Sequence, residues 1–375
     1  MIDTPYFLEG ALVFFGLVPF LRWASLRIRL REEGGEVVLD TRDFDVTIIL
    51  PMRNEEYNAR RKIFEISNAI SRKDNASLIV VNSASTDRTE EFVIEALKEC
   101  NLHPDKWKLI SAERPGKSIA INLALDMVDS EFVIMSDSDS KISDGWLENF
   151  QNIFAEPDIG IVSGLEDHRS KEKDWRLSYR KRSNVIRIVE SKIGSTPILE
   201  GSIIGWRSDI TSEFRLNESL NADDAQLTFR SIRMGYRAVV SDRIWFSETG
   251  VGNKLPLSKS VRRSQGLSRV LLGNCDLFFR AKKNVPNFAI FHAIYLYVFF
   301  PWIVFFLISL ISHGLIYYGI DGSFDLFSII LISISILTRD GRAILVGSYV
   351  TIISHCQFIV GIRHHEWKPD RMKIK

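Results

Sequence analysis

The chain is nearly free of cysteine: Cys100, Cys275 and Cys356 are its only three in 375 residues. Their scatter excludes a disulfide framework or a cysteine-based metal cluster and fits a reduced compartment. An excess of charge is missing too, with 48 Lys and Arg against 47 Asp and Glu. So balanced a chain has no general attraction for nucleic acid. No internal repeat or low-complexity tract occurs, which leaves no repeat array to consider. The first apolar run does not read as a secretory signal either. Tyr6 to Ala24 is apolar over about the length of a membrane span, but Arg22, Arg27, Arg29 and Arg31 lie at or after its end and only Asp3 precedes it. That is the reverse of signal-peptide polarity.

The apolar residues are unevenly placed, in the first segment and again from about Asn287 to Ile362. The positive-inside rule predicts an N-terminal membrane helix over 1–26, with Arg27 onward facing the cytoplasm. Residues 286–363 predict a C-terminal membrane region of two or three spans. Phe288 to Tyr318 exceeds one span, and Pro301 either divides it or leaves one tilted helix. Phe324 to Leu337 is short and Ala343 to Ile362 is full length. A basic tail, 364–375, follows.

Between these regions, a polar linker (27–45) leads into ordinary soluble composition over 46–285. Val46 to Pro51, Leu78 to Val81, Trp107 to Ile110 and Phe132 to Met135 read as short buried strands. Helical patterns at Tyr57 to Ser71, Asp87 to Cys100 and Lys117 to Met127 alternate with them. This alternation predicts an α/β fold with a mostly parallel, doubly wound sheet. Ile159 to Ser163, Leu199 to Arg207 and Tyr236 to Val240 are further strand-like runs. A helix is expected from Asn221 to Met234, stopped by Gly235.

The chain is organised around Phe132-Val133-Ile134-Met135-Ser136-Asp137-Ser138-Asp139. A buried strand ends in two aspartates one residue apart, where a parallel sheet binds its ligands. Residues i and i+2 of an extended chain share a side, so both carboxylates can face one site. Magnesium-like cations favour one or two carboxylates plus phosphate oxygens, which suggests a metal-nucleotide site at Asp137 and Asp139. Asp224 is a candidate general base, with Asp223 beside it able to raise its pKa; either can equally be a helix cap. Asn54, Glu55 and Asn82 can bond a ribose and a base, and Lys117 at a helix start can meet phosphate. Nine Lys and Arg between His168 and Lys192 suit an anionic membrane surface, a phosphate-bearing acceptor, or solvent.

In order, Pro51-Met52-Arg53-Asn54-Glu55, Asn82 to Asp87, Gly116-Lys117, Asp137-Ser138-Asp139 and Asp223-Asp224 resemble the motifs of family 2 glycosyltransferases, over roughly residues 46–270. The flanking apolar segments look like those of polysaccharide synthases and polyprenyl-phosphate sugar transferases. The resemblance implies the GT-A fold and single displacement with inversion. It implies Asn54, Glu55, Asn82, Asp87, Lys117 and Asp137 for the nucleotide, and Asp137 with Asp139 for Mg²⁺ or Mn²⁺. Asp224, with Asp223, would be catalytic. Gly201, Trp206, Gln265 and Arg269 would lie on the acceptor side.

Two departures qualify this. Asn82 stands where the family usually has Asp, which loosens base selectivity. Gln265 and Arg269 are spaced wrongly for the Gln-x-x-Arg-Trp motif of processive synthases. The expectation is a plasma-membrane, multi-pass enzyme with a cytoplasmic catalytic domain. It would move a sugar, from a UDP donor rather than GDP, to a lipid, a lipid-linked glycan or a growing chain. A processive synthase is the alternative, and a catalytically silent scaffold or sugar-nucleotide sensor a further one. No nucleic-acid partner is expected and no protein partner can be deduced.

Overall fold

A computed structural model describes residues 43–167, 175–248, 257–280, 287–317 and 336–363, with isolated helical positions between 10 and 28 and at 333. The linker up to residue 42, most of the short third apolar stretch and the basic tail lie outside the described residues, as does much of the N-terminal apolar segment.

Eight strands form one sheet: β1 (Val46–Met52), β2 (Ala76–Ser83), β3 (Trp107–Ala112), β4 (Phe132–Ser136), β5 (Ser140–Ile142), β6 (Ile159–Glu166), β7 (Ile203–Arg207) and β8 (Arg237–Glu248), in the order β3-β2-β1-β4-β7-β6-β8-β5. The β3-β2-β1-β4 half is parallel throughout. Its crossovers are α1 (Ala59–Ile70), α2 (Thr89–Glu99) and α3 (Lys117–Leu125). β1 shows why its sequence is continuously apolar. Ile48 and Leu50 pack into a core on one face, with Phe132 and Ile134, and Ile49 packs into a second core on the other, with Val133 and Met135. A sheet covered on both faces buries every residue of its inner strands.

The second half departs from a simple doubly wound pattern. β7 runs antiparallel to both β4 and β6, so it lies between two strands that share its edges but not its direction. Of the run expected from Leu199 to Arg207, only Ile203–Arg207 is strand, which frees residues 199–202 as a loop. β8 extends well past Val240, because Phe246 and Glu248 pair with the short β5 that follows the acidic stretch. The exposed Asp242 and Arg243 interrupt the apolar pattern there and hide the continuation from a sequence reading.

The remaining helices are α4 (Trp146–Phe154), α5 (Trp175–Ile193), the single turn α6 (Asp209–Ser212), α7 (Asp223–Met234), α8 (Leu257–Gly273), α9 (Asn287–Ile294), α10 (Phe300–Tyr317) and α11 (Arg339–Ile359). A π-helical turn, Tyr295–Phe299, joins α9 to α10 without a break. Pro301 therefore neither ends nor divides the helix. It has no N–H to give an α-helical partner, and the wider turn sits directly before it. Phe288–His313 and Gly341–Ile359 are each long and apolar enough to cross a membrane.

Candidate active site

A cavity of about 400 Å³ opens at the carboxyl ends of β1 and β4. Seven of the residues expected to act line it: Glu55, Lys117, Asp137, Asp139, Gly201, Asp223 and Asp224. They come from five segments of the chain and meet because the parallel strands β1 and β4 end, and α3 begins, on this edge.

Lys117 is the first residue of α3, after Gly116. Its Nζ lies 2.8 Å from Asp137 Oδ1 and 3.0 Å from Asp223 Oδ2. Burial alone would depress this amine, but the two carboxylates outweigh it and hold its pKa well above the ordinary lysine value. The ammonium thus links the acidic stretch after β4 to the start of α7.

Asp223 and Asp224 occupy the first turn of α7, where an anion is favoured. The N-cap itself is Ala222, so neither aspartate is there as the capping residue. Asp223 holds Lys117. Asp224 Oδ1 accepts the Ala225 N–H at 2.8 Å. Its Oδ2 faces Gly201, where an added Cβ would come within 3.5 Å of that oxygen. A glycine there keeps the space before the carboxylate open. Burial, and then the charge of Asp223, push Asp224 up to about 6.

Asp137 and Asp139 both line the cavity. Burial first, then Asp137 and Glu248, raise Asp139 to about 6. Glu55 is raised further, to about 7, chiefly by burial and also by Asp139 and Asp137. Crowded carboxylates of this kind suit a divalent cation. Among the described residues, no three His, Cys, Asp or Glu side chains converge on one point. The chain therefore offers the two-carboxylate set of the acidic stretch, which fits Mg²⁺ or Mn²⁺ completed by phosphate and water oxygens.

Three other expected residues make hydrogen bonds within the loops beside the cavity. Asn54, with a left-handed φ of 54°, accepts the Thr86 N–H at 2.7 Å through its side chain. Asp87 accepts from the Thr89 N–H at 3.1 Å and the Glu56 N–H at 3.3 Å. Asn82 accepts from the Ser85 N–H at 3.2 Å and donates to Glu90. Asn54 and Asp87 tie the loops after β1 and β2 together, Asn82 braces the second loop internally, and none of the three lines the cavity.

Three residues expected on the acceptor side do not line the cavity. Trp206 is fully buried in β7 and donates to Thr211 Oγ1 at 3.1 Å. Gln265 Nε2 donates to Ser354 O and Ile362 O, each at 3.1 Å. Arg269 donates to Ser219 O at 2.9 Å and covers the Phe358 ring. Gln265 therefore docks α8 against α11, and Arg269 braces the same face. The ring of His355 joins them: Trp302 Nε1 donates to its Nδ1 at 3.1 Å, leaving Nε2–H for Ser268 Oγ at 3.0 Å.

Several cavity residues were not individually legible in the sequence. Arg180 and Arg187 of α5, and Lys259, Arg262 and Arg263 of α8, line it. The two basic stretches were visible, but their convergence was not. Arg187 is held at 2.5 Å from Glu200 and 2.6 Å from Asn184 Oδ1. A second, apolar groove shares Ser183, Arg187, Ile198 and Tyr297 with the cavity, and continues between α5, α9 and α11 past Ala293, Leu296 and Ile344.

Residues 47–215 match the family model described as Glycosyl transferase family 2. Two proteins of Bacillus subtilis (strain 168) are similar. Minor teichoic acid biosynthesis protein GgaA is 26% identical over 210 residues, 53% of this chain and 46% of that protein. Minor teichoic acid biosynthesis protein GgaB is 28% identical over 123 residues, 32% of this chain and 13% of that protein. The match thus spans less than half the length of either relative. The solved mannosyltransferase PcManGT from Pyrobaculum calidifontis, in complex with GDP-Man and Mn²⁺, superposes with a TM-score of 0.77 at 24% identity. That superposition covers 94% of this chain and 99% of the other and is a likeness of fold.

Proposed function

From a chain that is a family 2 glycosyltransferase of GT-A fold, using a nucleotide-sugar donor, we propose an inverting, metal-dependent enzyme that glycosylates a lipid-borne acceptor at a membrane surface. The observation that carries the acceptor class is the apolar groove sharing four wall residues with the catalytic cavity. A polysaccharide in transit needs hydrogen-bonding walls, whereas this groove is lined mainly by apolar side chains. Two of its walls are helices whose outer faces expose Phe299, Phe305, Phe306, Tyr349 and Ile359. Exposed apolar surface of that extent marks a membrane or partner contact. A single transfer to a lipid-anchored acceptor fits this better than extrusion of a polymer.

The chemistry follows from the site. The acceptor hydroxyl approaches past Gly201 and gives its proton to Asp224. Its oxygen bonds to the anomeric carbon as the bond to the diphosphate oxygen breaks, and the electron pair leaves with the diphosphate. A base of this kind contributes about 10²–10⁴-fold. Asp137 and Asp139 would hold the divalent ion, which when bound neutralises the leaving diphosphate. Asp223 keeps Lys117 at the cavity wall, where its ammonium can meet the donor's phosphates. Relatives named for teichoic acid biosynthesis support an envelope-glycan product. The donor nucleotide is expected to be UDP, and the cytoplasmic face of the membrane supplies it.

The test is nucleoside diphosphate release by purified, detergent-solubilised protein. UDP- and GDP-sugars are supplied with Mg²⁺ or Mn²⁺, with and without extracted membrane lipid. Release should need metal, rise with lipid, and fall in Ile344→Trp, which narrows the groove. Transfer to a soluble glycan, unaffected by lipid or by the Trp, would overturn the lipid-borne acceptor.

A further inference from the structure

The acidic stretch is held from behind by one face of α1. Ser138 and Ser140, which flank Asp139, are buried at 3% and 0% exposure. Arg61 Nη2 donates to Ser138 O at 2.8 Å and to Ser140 O at 3.2 Å. Lys62 Nζ donates to Ser140 O at 3.0 Å and to Ser140 Oγ at 3.2 Å. Glu65 closes the set: it takes the Lys62 ammonium at 2.8 Å on one oxygen and the Ile142 N–H at 2.8 Å on the other. Asp139 is thus suspended between two anchored peptide units, with its own side chain on the cavity wall.

Lys62 is the unusual member. It lies on the buried stripe of α1, among Ala59, Ile63, Ile66 and Ile70, and is itself fully buried. Burying an ammonium costs several kcal/mol even after relaxation, and an apolar replacement of similar volume is often neutral or stabilising. Burial lowers its pKa to about 8, with Glu65 opposing that shift, so it remains charged at neutral pH. A merely structural core position would be better filled by Met or Leu. What the charge supplies instead is directed donors to a loop whose opposite side carries two carboxylates.

We propose that Arg61, Lys62 and Glu65 are positioning residues that fix the backbone of residues 138–142, presetting Asp137 and Asp139 for the metal and diphosphate. The inference rests on the acidic pair being that site. Outer partners of this kind are worth about 10–100-fold in metal affinity where they have been removed from metal sites.

The experiment compares wild type, Arg61→Gln, Arg61→Lys and Lys62→Met as full-length, detergent-solubilised proteins. Calorimetry measures Mn²⁺ with UDP as the probe, thermal midpoints are taken without ligand, and hydrogen exchange is followed at the 140–142 amides. The expectation is about tenfold weaker Mn²⁺·UDP binding in Arg61→Gln and Lys62→Met. Arg61→Lys should lie between, since it keeps the charge but loses the fork. Exchange at 140–142 should quicken, and the midpoint of Lys62→Met should not fall in step with its affinity. Binding within twofold of wild type in folded variants would overturn the proposal, as would losses of affinity that simply track the midpoint. If Lys62→Met fails to fold, Arg61→Gln decides, because Arg61 is a part-exposed surface residue. Asp139→Asn serves as the control. Wild-type binding that this change leaves intact would remove the metal site itself, and the clamp with it. Wild-type binding lost in Asp139→Asn but kept in the α1 variants would remove only the clamp.

Discussion

Lys117 stands 3.0 Å from Asp223, and the same ammonium reaches Asp137 on its other side. A charge at the start of α3 thus joins the acidic stretch after β4 to the helix that carries the proposed base, Asp224. Two walls of the cavity therefore share one cation. Removing it leaves two largely buried carboxylates facing each other, and breaking such a pair typically costs about 3–5 kcal/mol.

Lys117→Met should therefore lower the thermal midpoint and raise the donor KM together. Lys117→Arg should recover the stability more fully than the donor KM, because a planar fork cannot place one charge between the same two oxygens. Calorimetric unfolding and steady-state kinetics check this. A Met variant with wild-type donor KM would remove Lys117 from the donor side.

Asp224→Asn keeps the side-chain oxygen that accepts the Ala225 N–H but cannot take a proton. Donor binding should stay within a few-fold of wild type while transfer falls by about 10²–10⁴-fold. Isothermal titration with the nucleotide and a transfer assay separate the two. Near-normal turnover would show that another group takes the acceptor proton.

The pH dependence follows from two raised carboxyls. As the proposed base, Asp224 must be ionised to accept a proton, and with its pKa near 6 activity should be full above that value and fall as the pH drops through it. Asp139 is raised to about the same value, and its protonation weakens metal binding in the same window. The acid limb should therefore steepen at low metal concentration and approach one proton at saturating Mn²⁺. A flat profile down to pH 4.5 would contradict both assignments.

Gly201→Ala tests the open space before the base. The added Cβ would make only ordinary contacts, the nearest 3.4 Å from Asp224 Cβ, so the fold should tolerate it, with a loss of stability of less than about 1 kcal/mol. Transfer should drop at least tenfold while donor binding is kept, since the methyl occupies the acceptor's approach. Unchanged transfer would place the acceptor elsewhere.

Much of this protein was settled by its sequence alone. The buried strands, the crossover helices between them and the placing of Asp137, Asp139, Lys117 and Asp224 at element ends all follow from local pattern. Apolar runs bounded by polar turns report themselves over a few residues, and a parallel strand must end where its ligands bind. The antiparallel β7, the β5–β8 pairing and the π turn before Pro301 came only from the tertiary structure, because pairing partners and helix register depend on distant residues. The same holds for the roles of single side chains. Trp206 and Gln265 look like acceptor residues along the chain, yet one packs inside the sheet and the other docks two helices. Nothing in the local pattern singles out Lys62, whose role appears only when folding brings Ser140 against it. Sequence spacing specifies which face of an element a residue occupies. What lies opposite that face is decided by the packing of the whole chain.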